Sequence, residues 1–248
     1  VRGPDFLLKN CLIVINKNSN SNSIFIKSIS SHFEDFKKKV YSNIDIQYAL
    51  DRHEEITKGL KKKFNEIVGV WGELYFIKLV LKHNTTFKSY EIITSWESPN
   101  GRALIDFNFR EFYTCVEVKT TLKQEREHHI SDYSQVKTKE NYDGYLASIS
   151  IKEDSKGDSC NNLLEKINLM LNDDEKLLFS RRIKIRGKSL CHDKKYSFST
   201  KDKGLILVKF GDVPKPILSD NIFNMKWDIL VDEEKSIPHD NFLKRFKA

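Results

Sequence analysis

The segment 104–120 constrains the fold of this 248-residue chain more than any other feature. It holds two runs rich in Val, Ile, Phe, Tyr and Thr, residues that favour strands, and a polar pair separates the runs. The pattern predicts an antiparallel hairpin. If the hairpin folds symmetrically about Glu111 and Phe112, Asp106 lies opposite Glu117 on the same face, with Cβ atoms about 5 Å apart.

The same register places Lys119 opposite Leu104 and on the face of Glu117, because strand residues alternate between faces. Val116 and Val118 then point to the other, buried face. Opposed carboxylates repel each other, so a fold that retains them needs a compensating cation. Carboxylate oxygens suit Mg²⁺ or Mn²⁺. A solvated strand face produces the same Glu-X-Lys alternation, so the triplet alone does not establish a site.

A further carboxylate, Glu73, lies in the helical pattern of 46–82, which is expected to break near Gly69 or Gly72. Its neighbours three and four positions away are apolar or small: Gly69, Val70, Phe76 and Ile77. A carboxylate in that setting is costly unless it is paired, hydrogen-bonded or bound to a cation. The alternative is a side chain that reaches solvent or pairs with a nearby lysine.

Taken together, Glu73, Asp106 and the strand 116–120 (Val-Glu-Val-Lys-Thr) resemble the PD-(D/E)XK nuclease superfamily, in the form of its restriction-type and RecB-like enzymes. The resemblance implies a mixed sheet flanked by helices. It also implies that Asp106 and Glu117 are metal ligands, that Lys119 is the catalytic lysine and that Glu73 is an auxiliary acid.

More narrowly, the helix 69–74 (Gly-Val-Trp-Gly-Glu-Leu), the hairpin and the segment 210–229 are similar to a family of PD-(D/E)XK proteins found among bacterial restriction and phage-defence genes. Ile105 stands where the superfamily has Pro. Gln135, with Tyr145 ten residues later, resembles a signature that RecB-like members place after their lysine. It implies an amide that supports the metal site or contacts nucleic acid, although a mid-helix glutamine is usually solvated.

Hydrolysis of a phosphodiester needs a nucleophilic water, charge neutralisation at phosphorus and help for the leaving oxygen, which one or two Mg²⁺ ions can supply. Asp106 and Glu117 would hold the metal, and Glu73 and the Val118 carbonyl could add oxygens. Lys119 would orient or deprotonate the water and offset negative charge. These residues therefore form the predicted metal and catalytic site, with Gln135 in support.

The net charge of +7, from 42 Lys and Arg against 35 Asp and Glu, favours a polyanionic partner. The segment 181–188 is predicted as a strand. Strand alternation would put four cations on one face, about 7 Å apart: Arg182, Lys184, Arg186 and Lys188. This basic stripe could follow DNA phosphates, but a charge-protected edge strand gives the same pattern.

The predicted organisation is an N-terminal β-hairpin and helical region at 1–59, a nuclease core at 60–155 and a C-terminal helix and β elaboration at 156–248, packed on the core. The expected fold class is α/β, with a mixed central sheet flanked by helices as in restriction endonucleases. Further strands are predicted at 11–16, 23–28, 90–96, 103–109, 113–121, 145–151, 196–199, 205–210 and 226–231, and helices at 31–43, 132–141 and 160–179.

Several classes of protein are not indicated. The four cysteines form no CxxC pair, which argues against a zinc ribbon or a disulfide framework and favours a reducing cytoplasm. No apolar run approaches the roughly 20 residues of a membrane span. The chain has neither a Walker phosphate loop nor a methyltransferase signature. The adjacent pair His128 and His129 is expected in an exposed loop.

The sequence thus favours a cytoplasmic, Mg²⁺-dependent (or Mn²⁺-dependent) DNA endonuclease, the nuclease component of a bacterial restriction or anti-phage system. An ATPase/helicase or methyltransferase from the same system is an expected partner, and a homodimer is plausible for double-strand cleavage. The alternative is a non-catalytic DNA-binding or scaffold subunit of a restriction complex. A nuclease that acts on RNA is a weaker third option.

Overall fold

The computed structural model describes residues 64–83, 89–97, 105–123, 125–138, 140–186, 194–198, 204–216 and 225–244. All of them belong to the second of two units in the chain, Lys62–Ala248. The first unit, Val1–Lys61, lies outside the described residues, and so do the N-terminal hairpin and helix predicted there. The domain boundaries predicted after residues 59 and 155 stay predictions.

Among the described residues, five strands form one mixed sheet in the order β1-β2-β4, with β5 and β6 both paired to β4. The second strand runs antiparallel to the first and parallel to the long β4. The strands are β1 (Phe107–Phe109), β2 (Thr114–Thr121), β4 (Asp143–Asp158), β5 (Tyr196–Phe198) and β6 (Leu205–Lys209). This mixed sheet, flanked by helices, confirms the α/β class and the restriction-endonuclease-like architecture.

A second, two-stranded sheet pairs β3 (Glu127–Ile130) with β7 (Trp227–Leu230) in antiparallel fashion. The strand β3 was not predicted from the sequence. The helix predicted at 132–141 is also wrong, because the described residues of this segment form a short 3₁₀ turn, Tyr133–Val136, and no α-helix. Asp132 caps that turn by accepting a hydrogen bond from the Ser134 amide. Such local side-chain bonds favour turns over longer helices.

The described helices are α1 (64–83), α2 (Ser89–Ser95), α3 (Cys160–Asn168), α4 (Asp173–Arg186) and α5 (His239–Lys244). The first continues through its glycines, so the predicted break is wrong. The helix predicted at 160–179 is instead two helices. In the part of the chain that the structure describes, no helix is both long and apolar enough to cross a membrane.

The segment 90–96 is helical, although its β-branched residues predicted a strand. Ile92 and Ile93 are buried in the helix α2, which packs against α4 and β1. Burial in tertiary packing has overridden the local strand preference. Trp96, just after the helix, forms an isolated bridge with Phe107 of β1.

The basic stripe predicted at 181–188 is wrong, because the chain through Arg186 belongs to the helix α4. Residues two apart on a helix, such as Arg182 and Lys184, are about 200° apart around its axis and share no face. Arg182 instead donates hydrogen bonds to the backbone carbonyls of Trp96 and Thr94. Lys188 lies outside the described residues. The predicted contact with DNA was based on a common strand face, which the helix does not provide. The contact itself stays a prediction for Arg182, Lys184, Arg186 and Lys188.

Each face of the central sheet carries an apolar cluster. On one face, Leu74 and Ile77 of α1 pack with Val116 and Val118 of β2. The other face belongs to a second cluster that includes Cys115. Since strand residues alternate, Glu117 and Lys119 project to the Cys115 face. The sheet thus positions two charged side chains among buried surroundings.

Candidate active site

The two strands of the hairpin pair in the predicted register. Phe107 lies opposite Val116, and Phe109 lies opposite Thr114, which places Asp106 opposite Glu117. The connection is a 3₁₀ turn closed by Tyr113, whose φ of 47° is left-handed. The partner predicted for Lys119, Leu104, lies outside the described residues.

The carboxylates of Asp106 and Glu117 are interlocked through the backbone. The Val118 amide donates to Asp106 Oδ2 at 2.9 Å, and the Asp106 amide donates to Glu117 Oε2 at 3.3 Å. Both side chains are therefore held where β1 begins. The Val118 side chain is buried in the apolar core, and a role for its carbonyl as a ligand stays a prediction.

Glu117 is 3% exposed, and its pKa is raised to about 8. Burial is the largest cause, the negative charges of Asp106 and Glu73 act in the same direction, and Lys119 opposes them. Burial disfavours a charged carboxylate, and nearby like charges disfavour it again. The neighbouring lysine does not compensate for the negative charge gathered here.

Lys119 is held from two sides. Its Nζ lies 2.9 Å from Glu117 Oε1 and 3.4 Å from Gln135 Oε1. Burial by itself would lower the pKa of Lys119, but Glu117, Asp106 and Glu73 raise it above its ordinary value. The side chain is thus a charged ammonium directed at the carboxylates.

Gln135 reaches this site from a 3₁₀ turn and not from the predicted helix. Its Oε1 also accepts hydrogen bonds from the Ser131 amide at 3.0 Å and the Ser131 hydroxyl at 3.1 Å. The side-chain amide of Gln135 is therefore held by hydrogen bonds within its own loop. The distance of 3.4 Å from its Oε1 to Lys119 Nζ is at the limit for a hydrogen bond.

Glu73 is buried and 6% exposed, so the alternative of a side chain that reaches solvent is wrong. The indole of Trp96 donates to Glu73 Oε2 at 2.7 Å. A Cβ at the preceding Gly72 would lie 1.8 Å from Thr120 Oγ1. The absence of a side chain at Gly72 therefore allows α1 to approach β2 beside the site.

His128 was not recognised in the sequence, and the predicted exposed loop is wrong for it. It lies in β3, is 4% exposed, and its Nε2 is 2.7 Å from Ser148 Oγ. Burial, with the charges of Lys119 and Arg126, lowers its pKa to about 3. His129 is exposed and lies 2.9 Å from Asp228 Oδ1. His128 and Ile130 are two positions apart and share the buried face of β3. This period of two was the signal in the sequence from which the strand could have been predicted.

Arg126 is a second buried polar residue that the sequence did not reveal. It is 3% exposed and donates to the Ser148 carbonyl at 2.9 Å and to Glu233 Oε1 at 3.0 Å. A buried guanidinium is stable only when its donors are satisfied, as these contacts provide. Arg126 therefore ties the small sheet to β4 beside His128.

In the described part of the chain, no group of three or more His, Cys, Asp or Glu side chains is arranged to hold a metal ion. The chemistry of the pair Asp106 and Glu117 nevertheless fits a hard divalent cation, because both provide carboxylate oxygens. The raised pKa of Glu117 reflects burial first and then the negative charges of Asp106 and Glu73, which a cation would offset. Glu73 as a metal ligand stays a prediction.

Comparison with protein families gives one match. A family model described as "Putative PD-(D/E)XK family member, (DUF4420)" matches residues 5–232. No curated protein and no solved structure matches the chain.

Proposed function

The chain belongs to the family DUF4420, whose model it matches over residues 5–232, and from the PD-(D/E)XK description of that family we propose that the chain is a metal-dependent endonuclease that hydrolyses DNA phosphodiester bonds. The observation that carries the proposal is the buried Glu117 carboxylate, opposite Asp106 and 2.9 Å from the Lys119 ammonium. These are the residue types that phosphodiester hydrolysis needs in one place.

Asp106 and Glu117 would hold Mg²⁺ or Mn²⁺. Such an ion, when bound, would supply charge neutralisation and Lewis acidity. Lys119 orients the attacking water and offsets the negative charge of the phosphate, since an ammonium acts there as a compact point charge. Glu73 adds negative charge beside Glu117, and Gln135 limits the movement of the ammonium.

The biological setting belongs to the same proposal. The net charge of +7 supports a polyanionic substrate. We place the enzyme in the cytoplasm as the nuclease of a bacterial restriction or anti-phage system, on the strength of the resemblance in the sequence. An ATPase/helicase or a methyltransferase is the proposed partner, and cleavage of both strands would use a homodimer.

Nicking of supercoiled plasmid by the purified chain tests the proposal, with Mg²⁺, Mn²⁺ or EDTA and with a single-stranded RNA in parallel. Asp106→Ala and Lys119→Ala should each reduce cleavage by about a thousandfold or more while the circular dichroism spectrum is unchanged. Lys78→Ala is the matched control, because Lys78 pairs with Asp158 and not with the site.

Cleavage that both site variants retain would remove this site assignment. Absence of cleavage in every variant, with salt-sensitive DNA binding intact, would favour the non-catalytic DNA-binding or scaffold subunit. Cleavage of RNA but not of plasmid would replace the DNA substrate.

A further inference from the structure

His128 is a buried polar residue at a position where a strand normally buries an apolar one. Along β3, His128 and Ile130 are buried, whereas the intervening His129 is exposed. Burial of an imidazole is costly unless it is hydrogen-bonded. Its Nε2 has such a partner in Ser148 Oγ, 2.7 Å away. The partner, rather than packing alone, accounts for a histidine here.

Ser148 connects this histidine to the candidate site. It is fully buried in β4 and is the register partner of Lys119 in the parallel strand β2. Register partners on adjacent strands are about 4.8 Å apart, and here their side chains leave the same face of the sheet. The pair formed by Ser148 and His128 therefore lies directly beside the base of the Lys119 side chain.

The charges in this region support the same proximity. The positive charge of Lys119 is one of the causes that lower the pKa of His128, after burial itself. The imidazole is thus neutral at ordinary pH and adds no second cation next to the ammonium. On its other side, Lys119 contacts Glu117 at 2.9 Å and Gln135 at 3.4 Å.

We propose that His128 is a positioning residue, which acts through Ser148 to hold the Lys119 side chain against Glu117. This role rests on the function proposed above for Lys119. His128 itself touches neither metal nor substrate in the proposal. A neutral, hydrogen-bonded imidazole limits the space into which the lysine could retract, and thereby keeps the ammonium at the carboxylate.

The first test measures the position of Lys119 without relying on cleavage. In metal-free protein labelled with ¹⁵N at lysine Nζ, the Lys119 resonance is assigned by its loss in Lys119→Met. We expect His128→Leu to shift this resonance and His128→Gln, whose amide can still reach Ser148, to keep it near its original position. His129→Leu is the matched control, because this neighbour is exposed and should leave the resonance unchanged.

The second test measures cleavage. His128→Leu should lower kcat by about ten- to hundredfold with KM changed by no more than about twofold, because the lysine is misplaced rather than removed. His128→Gln should recover most of that loss. Thermal unfolding of the same variants separates positioning from simple stability, since loss of activity should not follow loss of stability.

An unchanged Lys119 resonance in folded His128→Leu would overturn the proposal, as would equal effects of the substitutions at positions 128 and 129. If His128→Leu does not fold, Ser148→Ala answers the question by the same criteria. If the unmodified protein cleaves no DNA, the proposed function fails, and the resonance alone then decides whether His128 positions Lys119.

Discussion

Two charged clusters at different places on the central sheet differ in burial and in the balance of charge: one joins structural elements, and the other is the proposed active site. At the end of β4, Asp158 lies 3.4 Å from Lys78 Nζ and 2.5 Å from Lys166 Nζ. Partial burial would raise the pKa of Asp158, but these lysines lower it below its ordinary value. The cluster around Glu117 has the opposite balance, and the pKa of Glu117 rises to about 8.

The difference follows first from burial, which is nearly complete at Glu117 and partial at Asp158, and then from which charge is in excess. Asp158 is compensated by the surrounding ammonium groups, and its backbone carbonyl accepts a bond from the Trp71 indole at 2.8 Å, so the cluster joins α1 and α3 to β4. In the cluster around Glu117, Lys119 is the described lysine, and it faces three carboxylates: those of Glu117, Asp106 and Glu73. Only the second arrangement gains from a further cation.

The largest difference between the two clusters should appear when the central carboxylate of each is replaced by an amide. Glu117→Gln is expected to reduce Mg²⁺-dependent plasmid cleavage by about a thousandfold, because the amide is a poor metal ligand. Asp158→Asn should leave cleavage within about threefold of the original. Rates that fall equally in both variants would mean that the clusters do not differ in function.

The pH dependence of stability should have opposite signs in the two clusters. The folded-state pKa of Glu117, about 8, exceeds its ordinary value of 4.5, so unfolding releases a proton between these values. The free energy of unfolding therefore falls as pH rises from 4.5 to 8, by an amount on the order of a few kcal/mol. Asp158 has a lowered pKa, so its contribution is present above pH 3.8 and is lost as pH falls.

Urea unfolding in EDTA from about pH 2 to pH 9 checks this prediction. Glu117→Gln should flatten the decline between pH 4.5 and 8, and Asp158→Asn should change only the acid side. A decline of the same slope in Glu117→Gln would show that other groups cause it.

Substitution of two glycines of α1 by alanine should change the free energy of unfolding in opposite directions, because α1 approaches β2 closely at Gly72 and not at Gly69. Gly72→Ala is expected to cost about 1–3 kcal/mol, since its Cβ would meet Thr120 Oγ1 at 1.8 Å. Gly69→Ala should stabilise the helix by up to about 1 kcal/mol, because a Cβ there has no atom within 4 Å among the described residues. Thermal or urea unfolding measures both, and equal effects would contradict the close contact at Gly72.

The smallest effect is expected at Lys166, a partly exposed member of the cluster around Asp158. Lys166 is about half exposed, so Lys166→Met should change the free energy of unfolding by less than about 1 kcal/mol and leave cleavage unchanged. Urea unfolding with a parallel nicking assay measures both. A loss of cleavage would mean that the Asp158 cluster takes part in function.

The sequence predicted the hairpin well because its information is local. Alternating residues on either side of a short turn specify both the face of each side chain and the partner across the strands. The predicted register is confirmed, because Phe107 lies opposite Val116 and thereby places Asp106 opposite Glu117. The apolar surroundings of Glu73 on its helix were also readable, since its neighbours three and four positions away are apolar or small, but the sequence left open whether the side chain reaches solvent.

The errors occurred where distant packing decides the local structure. The segment of α2 has strand-forming residues, but helix formation buries Ile92 and Ile93 against α4 and β1. The alternation of Ile183 and Ile185 suggested a strand, whereas the segment continues a helix with three acids in its first turn, a favourable place for them. The short β3 was missed because its alternation covers four residues and its partner β7 lies about a hundred residues later.

By itself, the sequence determined the α/β class, the family resemblance and the opposed pair Asp106 and Glu117, because these depend on residue type and short-range periodicity. The tertiary structure decided that Gln135 and His128 reach the surroundings of Lys119. Their approach depends on how β3 and its following turn are placed against β2 and β4. Such contacts between distant segments arise from burial and side-chain hydrogen bonds, which leave little trace in local sequence pattern.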